Sequence, residues 1–131
     1  MTELTKILHV EDDPEILEIA DMALGLIGGF EVVQADRGEK AVEMVQAVAP
    51  QLIISDVQMP GLTGPETLEA IRKKAGFETI PAIYMTAKLL DAEHGSLVGP
   101  HDLGVIAKPF DPTTLADQVR ALWASGLEKA A

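Results

Sequence analysis

Asp56 closes the run Gln51-Leu52-Ile53-Ile54-Ser55-Asp56, and Val57-Gln58-Met59-Pro60-Gly61 follows at once. An apolar stretch ending in a lone carboxylate and a Pro-Gly turn predicts a buried strand with an acid at its C-terminal tip. In open α/β sheets that edge is where ligands bind. Three other apolar runs end in polar groups. Leu8-His9-Val10 leads into Glu11-Asp12-Asp13, Ile83-Tyr84-Met85 into Thr86, and Val105-Ile106-Ala107 into Lys108-Pro109. Carboxylates, a hydroxyl and an amine at four strand tips can together bind a divalent metal and a phosphoryl group.

The carboxylates set the chemistry. Glu11, Asp12 and Asp56 crowd one another and raise each other's pKa, which a divalent cation relieves. Magnesium favours a few carboxylates, waters and a phosphate, and it neutralises charge on an incoming phosphoryl group. Asp56 is then available as a nucleophile forming an acyl phosphate. Lys108 supplies a compact cation opposite, and Thr86 a hydroxyl for a phosphate oxygen. Each residue alone has an ordinary reading. An acid after a strand caps a helix, and Asp13 is expected to do only that. A Thr after a strand is structural, and a Lys-Pro is a turn. The ordinary account must place all of them at the right tips by coincidence. His9 is expected in the core, and His94 and His101 on the surface.

The elements that position these groups follow from periodicity. Residues 6–10 predict a first strand. Asp13 before Pro14 predicts a helix start, a carboxylate N-cap and then proline at N1. Ile16, Ala20, Ala23, Leu24 and Ile27 continue at helical spacing to Gly28-Gly29. Residues 30–35, 52–55, 80–85 and 103–107 predict four more strands. Helices are expected over the stretch marked by Ala41, Val42, Val45 and Val48, which Pro50 terminates, and over 65–75. In the latter, Arg72-Lys73-Lys74 suit the helix dipole. A short or mobile helix is expected over 88–98. The last helix follows Asp111-Pro112, with Leu115, Val119, Leu122 and Trp123 facing inward. Residues 125–131 are expected to fray.

Continuous Val, Ile and Leu strands imply burial on both faces, hence a parallel sheet covered by helices on both sides. Five βα units are too few for a barrel of eight. The expected fold is therefore α/β: a doubly wound, five-stranded parallel sheet of flavodoxin-like order 2-1-3-4-5 with five helices. Glu11, Asp12 and Asp56 can converge only if strands one and three are neighbours, and that order places them side by side at its switch point. One domain spanning 1–131 is expected, with a core of about 5–125 and a short tail.

Composition narrows the class. The chain has 10 basic and 21 acidic residues, a net charge of −11. That argues against a nucleic-acid surface, which needs a basic patch. There are no cysteines, so disulfides and Cys-based zinc sites are excluded. No apolar run approaches a membrane span, and the N-terminus lacks the pattern of a signal peptide. A cytoplasmic protein without membrane contact is expected.

The chain resembles the receiver domains of two-component response regulators, especially the single-domain, chemotaxis-regulator-like kind. The resemblance rests on Ile7-Leu8-His9-Val10-Glu11-Asp12-Asp13-Pro14, Ile54-Ser55-Asp56-Val57-Gln58-Met59-Pro60-Gly61-Leu62-Thr63-Gly64, Tyr84-Met85-Thr86-Ala87 and Ile106-Ala107-Lys108-Pro109-Phe110. Together these are specific, and the resemblance covers nearly the whole chain. The resemblance implies that Asp56 is the phosphoacceptor and that Glu11 and Asp12 are the acidic pair. Asp12 and Asp56 would bind Mg2+ directly, with the Gln58 backbone carbonyl as a further ligand. Thr86 would be the switch hydroxyl, Lys108 would contact the phosphoryl group, and Lys108-Pro109 would be cis. The donor would be a sensor histidine kinase or histidine phosphotransfer protein, and the output a downstream protein target. A stand-alone signalling module is expected, not an enzyme, as a monomer or transient dimer.

The sequence departs from the family at the switch. The usual aromatic three residues before the lysine is Val105 here, and His101-Asp102 replace a common Gly-Ala. The resemblance therefore does not carry the usual aromatic swing to this chain. Tyr84 is not assigned that role, and the stretch 88–103 is instead expected to be the bistable element. Gln58 and Lys88, two residues after Asp56 and Thr86, would tune dephosphorylation. Leu89, Leu90 and Leu97 are expected to pack into the core. Two other readings stay open. A phosphorylation-independent scaffold would tolerate the altered switch. An aspartate-nucleophile phosphatase would turn over phosphate esters, but its D-x-D pattern has Gln58 at the second position.

Overall fold

Alternation along the strands organises the molecule, because successive side chains point to opposite faces of a sheet. The computed structural model describes residues 3–87 and 99–130, and side chains up to residue 126. Five parallel strands form one sheet in the order β2-β1-β3-β4-β5. They are β1 Lys6–Val10, β2 Glu31–Ala35, β3 Leu52–Asp56, β4 Ala82–Thr86 and β5 Asp102–Ala107. Ile7, Leu52, Ile54, Ile83, Met85 and Ile106 face one side, where Leu24, Leu115 and Val119 cover them. Leu8, Val10, Ile53, Ala82 and Tyr84 face the other, against Ala41, Val45, Leu68 and Ile71. The doubly wound order is the expected one.

Helix α1 spans Pro14–Asp21, and the Asp13 carboxylate caps it by accepting the Glu15 N–H at 2.9 Å. It continues as a π-helical segment, Met22–Ile27. Helix α2, Gly38–Val48, ends at Ala49, which takes a left-handed conformation. Helix α3 spans Gly64–Arg72 and starts in a capping box of Thr63 and Glu66. The Thr-x-x-Glu signature of that box is present in the sequence, although the expected helix start is residue 65.

Four element boundaries differ from expectation. Helix α3 ends at Arg72, three residues early, where the backbone passes to the tighter Lys73-to-Ala70 and Lys74-to-Ile71 bonds and then to Gly76 at φ 93°. The Arg72 side chain bonds the Ile80 carbonyl and the Asp102 carboxylate, each at 2.8 Å. That partner, and not the helix dipole alone, accounts for the cation. Strand β4 starts at Ala82, and Pro81, which lacks an N–H, precedes it. The last helix, α4, begins at Leu115 rather than at Pro112. The turn between is held by Asp111, whose side chain accepts the Thr113 N–H and whose carbonyl accepts the Leu115 N–H. The same helix runs to Ala130, past the expected core limit of about residue 125. Four helices are found among the described residues. The fifth, expected over 88–98, lies outside them, as do Lys88, Leu89, Leu90, His94 and Leu97.

Candidate functional site

Strands β1 and β3 pair directly, with Val10 opposite Ser55. Glu11 and Asp12 therefore leave β1 beside Asp56, the last residue of β3. Backbone bonds set the tips: the Glu11 N–H donates to the Ala35 carbonyl, and the Val57 N–H to the Met85 carbonyl. Ser55 Oγ donates to the Asp56 carbonyl at 2.9 Å. Gly64 approaches from above. A Cβ there would lie 2.3 Å from the Asp56 carbonyl oxygen, so no larger residue fits. Ser55 and Gly64 were not singled out from the sequence as supports. Their positions became informative only once α3 was seen to sit on the β3 tip.

The charged groups meet as anticipated. One oxygen from each of Glu11, Asp12 and Asp56 lies within 4.8 Å of the others. Glu11 and Asp56 are buried and Asp12 is exposed. Lys108 Nζ, from the end of β5, lies 3.0 Å from Glu11 Oε1 and 3.2 Å from Asp56 Oδ2. Its backbone is fixed by donation to the Thr86 carbonyl at 2.9 Å, and the Lys108-Pro109 bond is cis. Thr86 sits buried at the β4 tip, and Gln58 is exposed in the loop after Asp56.

The electrostatics explain why the lysine is there. Burial raises the Glu11 pKa and the Asp56 charge adds to it, while the Asp13 N–H and Lys108 partly offset both. Burial works to lower the Lys108 pKa, but the Glu11 hydrogen bond and the Asp56 charge outweigh it and hold the amine protonated. His9, one turn of the pleat below Glu11, is buried and bonded to Gln34, a supporting core residue as expected. Three carboxylates against one ammonium leave an excess of negative oxygen donors. That donor set suits a hard divalent cation, of which magnesium takes a few carboxylates and completes its shell with water.

The departures at the switch have a structural counterpart. Tyr84 and Val105 are direct partners in the β4–β5 pairing. Tyr84 is buried, and its phenol is pushed up to about 12, by burial first and then by the Asp102 charge. The pleat of β4 is continuous through Thr86, so Tyr84 and Thr86 share a face. His101 is exposed, whereas Asp102 is held by Arg72 and the Gly99 N–H.

A five-stranded 2-1-3-4-5 sheet with an acidic triad and a lysine at its switch point defines a class of signalling domain. The response regulator receiver domain model matches residues 7–120, and the chain belongs to that family. The chain is similar to the chemotaxis protein CheY4 of Vibrio cholerae, with 28% identity, a TM-score of 0.76, and coverage of 92% of this chain and 99% of that one. It is similar to the receiver domain of the sensor histidine kinase PA1611 of Pseudomonas aeruginosa, described with a magnesium ion coordinated in its active-site cleft. There the identity is 27%, the TM-score 0.76, and the coverage 93% and 97%. A probable transcriptional regulator, ycf27, of Cyanophora paradoxa is 44% identical over 57 residues, 44% of this chain and 23% of that protein. The chain thus spans under a quarter of the length of the curated relatives it matches.

Proposed function

We propose that Asp56 accepts a phosphoryl group from a phosphohistidine on a sensor kinase or histidine phosphotransfer protein, and that the resulting change is read by a protein partner. The observation that supports this most is Lys108 Nζ held between the Glu11 and Asp56 carboxylates. That amine is placed to contact a phosphoryl oxygen once Asp56 is modified. Asp12, Asp56 and the Gln58 carbonyl would hold Mg2+, with Glu11 beside them. The ion would offset the charge that a phosphoryl group brings to an acidic cleft. Thr86 would bond the phosphoryl group from the β4 tip. Glu11 has a second task here: it keeps Lys108 charged and aimed.

Intact-mass spectrometry after incubation with MgCl2 and acetyl phosphate tests this. The expected result is a single, base-labile phosphoryl adduct on the native chain, absent without Mg2+ and absent in Asp56→Asn. No adduct, with Mg2+ binding shown separately, would favour a phosphorylation-independent scaffold. Sustained release of phosphate from esters would favour an aspartate-nucleophile phosphatase.

A further inference from the structure

A groove opens beside the carboxylate cluster, lined by Asp12, Asp36, Arg37, Glu39, Pro60 and Gly61. It shares Asp12 with the cluster, so the groove borders the carboxylates. Three of its residues are acids and one is a cation. Arg37 is exposed, and among the described residues its guanidinium holds no ion pair or hydrogen bond. Its backbone is extended, at φ −161° and ψ 161°. The next residue is pinned: a Cβ on Gly38 would lie 2.1 Å from Thr67 Oγ1, so only glycine lets α2 approach α3 this closely. The root of Arg37 is therefore fixed while its planar fork reaches into solvent.

A phosphoryl donor needs such a cation. It carries negative charge toward three carboxylates on a chain of net charge −11. Lys108 lies inside and is already shared by Glu11 and Asp56. Guanidinium matches phosphate oxygens in a two-pronged geometry that ammonium lacks. We infer that Arg37 is a donor-contacting residue: it pairs with the phosphoryl oxygens of the incoming donor at the mouth of the cleft and governs the rate of transfer to Asp56. With acetyl phosphate, an Asp56 oxygen attacks phosphorus. A new P–O bond forms as the donor's P–O bond breaks, and acetate leaves with the electron pair. Arg37 is not consumed.

The inference rests on the phosphoacceptor reading, and one experiment separates their failures. Initial rates of Asp56 phosphorylation by acetyl phosphate are measured at saturating Mg2+ for the native chain, Arg37→Lys and Arg37→Gln. Calorimetry gives each variant's Mg2+ affinity. The expected result is a loss of about fivefold in the second-order rate for Arg37→Gln, the scale of one partly exposed charge-assisted contact. A smaller loss is expected for Arg37→Lys, and the difference from the native rate should shrink as salt rises. Mg2+ binding should be unchanged or tighter in Arg37→Gln, because a cation beside Asp12 opposes the metal. A variant that reacts as fast as the native chain overturns the inference and leaves the phosphoacceptor reading standing. A slower rate that tracks weakened Mg2+ binding overturns it as well. No adduct on the native chain removes both.

Discussion

His9 shows how one buried side chain can couple this fold to pH. Its ring is almost fully enclosed, at 1% exposure. Gln34 Nε2 lies 3.1 Å from Nδ1 and also donates to the Leu17 carbonyl at 2.8 Å. With that amide facing it, Nδ1 acts as acceptor and the imidazole is neutral. Burial, and secondarily the Lys108 charge, lower its pKa from 6.5 to about 4. The unfolded chain therefore takes up the proton first as pH falls. Stability is complete above about pH 6.5 and declines as pH drops toward 4, by on the order of 3 kcal/mol in total. Urea midpoints measured from pH 7 to 5, where free carboxylates stay ionised, should fall in the native chain. The slope should be shallower in His9→Asn. Identical slopes would assign the effect to other groups. The sequence placed His9 in the core from its strand position, but the Gln34 contact required the register of β2 on β1, which sets the two residues side by side.

At the scale of elements, α2 ends on a strained residue. Ala49 has φ 51°, and its N–H donates to the Val45 carbonyl at 2.8 Å. A left-handed conformation costs a residue with a Cβ roughly 1–2 kcal/mol, and glycine avoids that cost. Pro50 follows, so the helix cannot continue past this point. Ala49→Gly is expected to raise stability by about 0.5 kcal/mol, after the greater chain entropy of unfolded glycine offsets part of the gain. Chemical denaturation measures it, and a loss of stability would refute the conformational account. Most element types were readable because apolar spacing distinguishes strand from helix. Their ends were less readable. The Arg72 side chain at the end of α3 bonds Asp102, 30 residues away, a partner that no window along the chain reveals.

For the whole molecule, folding concentrates negative charge at one edge of the sheet. Glu11, Asp12 and Asp56 are gathered in a chain of net charge −11 and share one nearby ammonium. A cation that binds only the folded state stabilises it by mass action. MgCl2 at 100 times its dissociation constant should raise unfolding free energy by about 2.7 kcal/mol. Asp12→Asn, at an exposed position, should lose most of that gain while remaining folded. Thermal unfolding with matched ionic strength checks this. An equal gain in Asp12→Asn would point to general screening and not to a site at the strand tips.

The sequence by itself determined the α/β class and the polar groups at each strand tip, because these follow from periodicity and from chemistry local to a few residues. The strand order is expected because it lets Glu11, Asp12 and Asp56 meet, and the pairing bears it out. It also showed that Val105 stands where the family has an aromatic. Tertiary structure alone decided what those groups do to each other. Register put Tyr84 directly across from Val105, and side-chain reach put Lys108 on Glu11, 97 residues away. Packing of α3 over β3 made Gly64 a contact of Asp56, and the meeting of three loops left Arg37 in the groove beside Asp12. Pairings of this kind depend on distances across the sheet and between loops, and chain order does not encode them locally.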